Sequence, residues 1–316
     1  MKNKGLLKNV FGLALIMVFS LFISSCGEDA KPIPTLTVVI NSIDGFVVDI
    51  AAEATDATTW SWEYGDGNVS VTEGGHFYTY TERGDFTITC TVTGEGGTAT
   101  KTVDVHIATK EELLTGNIWV LSNAGTANGM GFRITSDLLI DFPAVDILAT
   151  LNTLRSGTET YDFLAEYEDE YTFGSDGAYS VDYKNGNVLA SWVYSREGIE
   201  AGYCDNVGMY ALKIPILSNA TWTLHENENL TLNTVYDADR NNEDGVEETV
   251  NFTGIDYITY TNGGFLGIKD YTSTVIIQSI KADELVATVF FHGYENGGLG
   301  IEEPSYFFIL TFKPKG

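Results

Sequence analysis

From Thr35 to the C-terminus the chain alternates between apolar and polar positions. Runs of about four to eight residues rich in Val, Ile, Thr, Tyr and Phe are separated by Gly, Asn and Asp, the pattern of strands joined by turns. Successive strand side chains point to opposite faces. Phe86-Thr87-Ile88-Thr89-Cys90-Thr91-Val92 therefore predicts a strand with Phe86, Ile88, Cys90 and Val92 on one face, and Cys90 reads as a small core residue. Two hairpin signals stand out. Ser175-Asp176-Gly177 separates Tyr171-Thr172-Phe173 from Ala178-Tyr179-Ser180-Val181, and Asn185-Gly186 precedes Val188-Leu189-Ala190. Trp119 and Trp222 lie in alternating apolar strands and are expected in the core.

Helical patterns are scarce. One runs from Lys110 to Leu114, with Thr109 and Glu112 spaced as a capping box and Gly116 as the stop. A second covers Asp146 to Leu154. The first falls where one β-rich stretch ends and the next begins. The expected organisation is therefore a small β-domain over 35–107 and a larger one over 111–316.

The first thirty residues follow a different rule. Lys2, Lys4 and Lys8 form a basic start, and Val10 to Ile23 is a nearly unbroken apolar run. It is shorter than the roughly 20 apolar residues of a membrane-spanning helix. A basic start, a short apolar stretch and small residues before a cut site mark a secretory signal, here over 1–25. Phe22-Ile23-Ser24-Ser25-Cys26 resembles a bacterial lipobox, which implies that Cys26 is acylated and becomes the new N-terminus. Several acyl chains anchor stably, because each buried methylene contributes about 0.8 kcal/mol. Glu28-Asp29 resembles the surface-export tag of some Gram-negative lipoproteins. Residues 26–34 then form a tether, with Pro32 and Pro34 preventing regular structure.

Composition narrows the partners. Among 316 residues there are 17 Lys+Arg against 44 Asp+Glu, a formal net charge of −27. Such a surface repels nucleic acid and anionic headgroups; it suits neutral ligands and divalent cations. Cys90 and Cys204 fall in different domains, which argues against a disulfide framework.

Residues 35–107 contain Trp60-Ser61-Trp62-Glu63-Tyr64-Gly65-Asp66-Gly67, then Tyr78-Thr79-Tyr80, then Gly84-Asp85-Phe86-Thr87-Ile88. This resembles a PKD domain, whose usual form is Trp-x-Trp/Phe-Asp-Phe-Gly-Asp-Gly followed by His-x-Tyr and Gly-x-Tyr-x-Val. Glu63, Tyr64 and Tyr78 depart from it. The resemblance implies a small immunoglobulin-like sandwich serving as a rigid stalk. Independently, Trp60, Trp62 and Tyr64 share one strand face, Gly65 and Gly67 permit a tight turn, and Asp66 can hold that turn through its side chain.

The larger domain contains Thr115-Gly116-Asn117-Ile118-Trp119-Val120, Glu168-Asp169-Glu170-Tyr171-Thr172-Phe173 and a closing Tyr306-Phe307-Phe308-Ile309-Leu310-Thr311-Phe312. Their order after a PKD-like segment resembles surface glycan-binding lipoproteins that accompany TonB-dependent polysaccharide uptake. That resemblance implies a jelly-roll-like β-sandwich that binds polysaccharide without chemistry, on the outer membrane, beside a TonB-dependent transporter. A lipocalin-like barrel is the structural alternative. A divergent glycoside hydrolase or lyase, or a structural or adhesion protein of the envelope, are the functional ones.

Sugar binding requires flat aromatic faces. Trp192 and Tyr194 would share one face of a strand over Val188–Tyr194, and Tyr203 and Tyr294 complete the candidate set. His292-Gly293-Tyr294-Glu295-Asn296-Gly297-Gly298 reads as a polar binding rim. In the acidic stretch 237–248, Asp237, Asp239, Asn241 and Glu248 approach the spacing of a calcium loop, with Asn242 where glycine is usual. Without flanking helices, a calcium-stabilised loop between strands is the reading. Glu166, Glu168 and Glu170 would share a strand face as paired-carboxylate chemistry requires, but a solvated face is the plainer expectation. The four histidines, His76, His106, His225 and His292, are scattered, without zinc-protease spacing or a serine elbow.

Overall fold

The computed structural model describes residues 30–122, 129–141, 148–149, 163–191, 194, 199–204, 209–236, 245–292 and 303–316. Seven strands build the first domain: β1 (Thr35–Asp44), β2 (Val47–Thr55), β3 (Thr59–Glu63), β4 (Val69–Ser70), β5 (His76–Thr79), β6 (Gly84–Gly94) and β7 (Gly97–Ile107). They form two antiparallel sheets, β1-β2-β5 and β4-β3-β6-β7. Between them lie Trp62, Tyr64, Ile88, Cys90 and Val92, all buried as alternation predicts. Burial pushes the Cys90 thiol up to about 11. The aromatic face continues as a stack, with Trp60 and Trp62 centroids at 6.2 Å and Tyr64 and Tyr78 at 3.6 Å. Gly65 has φ +81°, and a Cβ there would meet the Thr87 backbone nitrogen at 2.8 Å, so both the backbone angle and the space demand glycine. Asp66 accepts from Asn68 N at 3.0 Å and from the Tyr78 hydroxyl at 2.6 Å. Tyr78, at a position where the PKD pattern usually has His, thus supports the turn.

The junction is short and well bonded. Helix α1 (Lys110–Thr115) has the expected capping box between Thr109 and Glu112. His106 of β7 bridges Asp85 at 2.8 Å and Glu112 at 3.0 Å, and Arg83 donates to the Ala108 carbonyl. On the far side, Leu114 is buried in the core of the larger domain, while Lys110 pairs with Asp256 at 2.7 Å and Glu226 at 3.0 Å.

The larger domain comprises β8 (Ile118–Leu121), β9 (Gly129–Gly131), β10 (Glu170–Phe173), β11 (Tyr179–Asp182), β12 (Val188–Ser191), β13 (Ile199–Cys204), β14 (Met209–Lys213), β15 (Trp222–Tyr236), β16 (Val246–Tyr260), β17 (Thr274–Ile280), β18 (Leu285–Phe291) and β19 (Tyr306–Pro314). Eight of these run in the order β11-β10-β8-β19-β18-β17-β16-β15, with β9 also paired to β19; a separate sheet is β12-β14-β13. Among the described residues the long sheet ends on β11 and β15, so it is open rather than a barrel. The small sheet packs Leu189, Met209 and Ala211 against one face of the long one, sharing a core with Trp119, Phe265, Leu285 and Phe312. All seven residues of β18 are buried, because it is a central strand with both faces covered. The chain is thus all-β, an immunoglobulin-like sandwich followed by a larger β-sandwich. Trp119 and Trp222 are core residues, as expected.

Of the two expected hairpins, one forms and one is corrected. The Ser175-Asp176-Gly177 turn does join the hairpin β10-β11. Asn185-Gly186 does not make a hairpin: β11 pairs with β10, whereas β12 pairs with β14. The turn carries the chain from one sheet to the other. The proposed helix from Asp146 lies almost wholly outside the described residues, of which 148–149 are helical.

Candidate functional site

One cluster in the larger domain joins half-buried aromatic rings to buried polar groups. Strand β12 ends at Ser191, and the segment after Ile268 runs beside it. Lys269 N donates to the Leu189 carbonyl at 2.8 Å and Ser191 N donates to the Lys269 carbonyl at 3.1 Å. This pairing carries Lys269, Asp270 and Tyr271 to the margin of the small sheet. From the other side, β18 delivers His292 one residue past its end.

The Asp270 carboxylate, only 2% exposed, ties these pieces together. It accepts from Tyr271 N at 2.6 Å, from His292 N at 2.6 Å and from His292 Nδ1 at 2.9 Å. Three donors offset the cost of burying a charge. With Nδ1–H directed to the carboxylate, a neutral His292 would present Nε2 as an acceptor. Nε2 is buried and has no hydrogen-bond partner among the described residues.

Lys269 is buried beside this pair. Its ammonium donates to the Gly263 carbonyl at 2.9 Å and lies 4.6 Å from the Tyr194 ring centroid. Burial pulls its pKa below the usual lysine value. The Tyr194 and Tyr271 rings are 5.1 Å apart at 57°, and Tyr271 meets His292 edge-on at 6.3 Å. Such an array presents two partly exposed ring faces on a buried, hydrogen-bonded support, the kind of surface on which an amphipathic ligand stacks.

Of the residues read from sequence, Tyr194 therefore lies in the cluster. Its expected strand is corrected: β12 stops at Ser191, and Tyr194 N instead donates to Ser191 Oγ at 3.3 Å. Tyr203 belongs to β13, opposite Tyr210 of β14. Trp192, Tyr294 and Cys26 lie outside the described residues, as do Asp237, Asp239 and Asn241 of the candidate calcium loop. Glu248, the fourth member of that set, stands in β16 and is bound by Arg133 at 2.6 Å. No group of three metal-binding side chains occurs among the described residues. Lys269, Asp270 and Tyr271 escaped sequence reasoning: no turn or periodicity marks them, and their importance arises from pairing with β12 and β18.

The acidic run is also corrected. Phe163–Glu168 is a 3-10 helix, not a strand, so Glu166, Glu168 and Glu170 do not share a strand face. Nor is the run uniformly solvated. Glu168 is exposed, while Glu166 and Asp169 are 3% and 1% exposed. Glu166 Oε1 accepts from Asn185 Nδ2 at 3.2 Å and Asp169 Oδ1 from Lys184 N at 3.2 Å. Burial, and then the neighbouring Glu166 charge, raise the Asp169 carboxyl well above the carboxylate range. Glu170 instead pairs with Lys315 at 2.5 Å and Lys184 at 3.0 Å.

Comparison with known proteins identifies residues 30–108 as a PKD domain, by match to that family's model. Two solved PKD1 domains are similar to this part. That of the Vibrio cholerae metalloprotease PrtV is 21% identical (TM-score 0.22), covering 25% of this chain and 99% of that one. That of Vibrio anguillarum Epp is 26% identical with the same TM-score of 0.22 and the same coverage of 25% and 99%. A structure from work on the promiscuous specificity of carbohydrate-binding modules of the β-sandwich superfamily is 10% identical, with TM-score 0.24, covering 90% of this chain and 92% of that one. No curated protein matches the chain.

Proposed function

We propose that this chain is a non-catalytic carbohydrate-binding lipoprotein of the bacterial outer membrane, facing the exterior. In this reading Cys26 carries the lipid anchor and the PKD domain is a stalk. The larger domain captures a neutral polysaccharide and passes it to a TonB-dependent transporter. The observation that carries the binding role is the Tyr194–Tyr271 ring pair beside the buried Lys269, Asp270 and His292. Pyranose rings present C–H faces that pack on aromatic rings; the half-buried Tyr194 and Tyr271 rings supply such faces, and the buried Lys269, Asp270 and His292 hold them in place. Trp192, Tyr203 and Tyr294, chosen from the sequence, are the further aromatic residues we propose for glycan contact. The strongly acidic balance of 44 against 17 favours a neutral glycan over a polyanion. The junction around His106, Glu112 and Lys110 supports the stalk role, because it bonds α1 to both domains.

The test is retention of the purified protein on a panel of neutral polysaccharides, with reducing ends assayed in parallel. Retention without release of reducing ends is the expected result. Release would replace this reading with a glycoside hydrolase or lyase, and failure to bind any glycan with a structural envelope protein.

A further inference from the structure

The small sheet covers one face of the long sheet; the opposite face has its own apolar surface. Leu230 of β15, Phe252 of β16, Ile276 of β17, Phe290 of β18 and Phe307 of β19 form it. After β9 the chain crosses this face and sets Ile134, 1% exposed, and Leu138 upon it. The crossing does not fill the surface. Two hollows flank it and meet at Ser136, which lines both. The first, about 580 Å³, lies between Arg133–Ser136 and the β16 residues Glu248–Asn251. The second, about 400 Å³, lies between Ser136–Leu138 and a floor that includes Phe252, Ile276 and Gln278. Together they make one groove following β16.

The groove's chemistry narrows its occupant. Val250, Phe252, Ile276 and Ile309 give an apolar floor, and Thr135 and Ser136 place hydroxyl-bearing residues along the crossing segment. Gln278 Nε2 donates to Thr288 at 2.8 Å, which holds the amide on the floor. At one end the Arg133 guanidinium is spent: it bonds Glu248 and lies 4.1 Å from the Tyr236 ring centroid. At the other, Asp256 is paired with Lys110. A lining of apolar faces, hydroxyls and amides, with Arg133, Glu248 and Asp256 held in ion pairs and one exposed carboxylate, Asp137, able to accept from hydroxyls, matches an extended, uncharged chain rich in hydroxyls.

We propose that this groove is a second carbohydrate site, separate from the Tyr194–Tyr271 cluster, taking a linear neutral glycan segment laid along β16. The inference rests on the carbohydrate reading above and adds a second point of attachment on the opposite side of the long sheet. One protein can then hold two glycan segments, and joining two weak sites on one polymer raises overall avidity.

Calorimetric titration of the mature protein with linear neutral hexasaccharides (β-1,3-glucan, β-1,4-glucan, α-1,4-glucan and β-mannan) tests it. Wild type is expected to bind two equivalents of at least one of them. Ser136→Trp, at an exposed position where both hollows meet, is expected to leave one equivalent; Tyr271→Ala is expected to leave the other. Gln278→Ala is the second groove variant, expected to weaken the groove site about fivefold or more, and thermal unfolding of each variant confirms that it is folded. A single wild-type site unaffected by folded Ser136→Trp or Gln278→Ala overturns the groove while leaving the carbohydrate reading intact. No binding of any hexasaccharide or polysaccharide overturns both.

Discussion

Asp270 and His292 lie 22 positions apart and are joined twice, once through the His292 ring at 2.9 Å and once through its backbone N–H at 2.6 Å. The pair closes the gap between the end of β18 and the strand-like segment beside β12. It therefore positions Tyr271, and through Lys269 the Tyr194 ring, more firmly than either loop could by itself.

Asp270→Ala should accordingly be strongly destabilising. Three donors, the two on His292 fully buried, would lose their acceptor, and breaking a buried charged network costs about 3–5 kcal/mol. Urea unfolding of wild type and variant measures this; a loss below about 1 kcal/mol would mean that the bonds are made by water in solution.

Replacing Tyr271 with Ala should separate binding from folding. Its ring is half-buried, so truncation should lower glycan affinity about tenfold with little change in melting temperature. Trp192→Ala is expected to behave in the same way. A buried Trp cut back to Ala instead costs about 3–5 kcal/mol of stability, so titration and thermal unfolding on one sample tell ring platform from core.

The raised Asp169 carboxyl sets a pH dependence. A carboxyl whose folded pKa exceeds its unfolded value stabilises the fold fully below the unfolded value, near 3.9, and loses that contribution as pH rises through the folded value. Asp169→Asn keeps an oxygen for Lys184 N and removes the titration. Its stability should fall less than wild type's between pH 5 and 9, as read by denaturant midpoints across that range. Parallel curves would show that Asp169 titrates alike in both states.

At the junction the direction is the same but the group differs. Hydrogen bonds donated to Asp85 and then to Glu112 raise the His106 pKa above its usual value near 6.5. The clamp's contribution is present below that value and is lost as pH rises through the raised one. His106→Gln should remove this dependence. Interdomain motion measured by NMR relaxation at pH 6 and pH 8 should differ in wild type and match in the variant.

Calcium should raise the melting temperature of the larger domain through Asp237, Asp239, Asn241 and Glu248, because a ligand bound only by the folded state stabilises it. Arg133 competes for Glu248, so Arg133→Ala should enlarge the shift. Identical melting curves in chelator and in millimolar calcium would leave the stretch as surface charge.

Much of this molecule is written locally. The Gly65-Asp66-Gly67 turn, the Thr109–Glu112 capping box, the hairpin at Asp176-Gly177 and the core placement of Cys90, Trp119 and Trp222 all follow from residues within a few positions of one another. Backbone angle, capping and alternation are short-range physics, and the chain carries them in its order of residues. Which strands meet is a different matter. Asn185-Gly186 makes a turn in either case, but only the packing of two sheets decides that the turn leads out of one and into the other. Glu166 and Asp169 look like surface charges until the 3-10 helix and the β10-β11 hairpin close around them. Lys269, Asp270 and Tyr271 acquire a role only when β12 and the end of β18 come to lie beside them, because hydrogen bonds and ring contacts depend on distance in space, and the folded sheets alone set that distance.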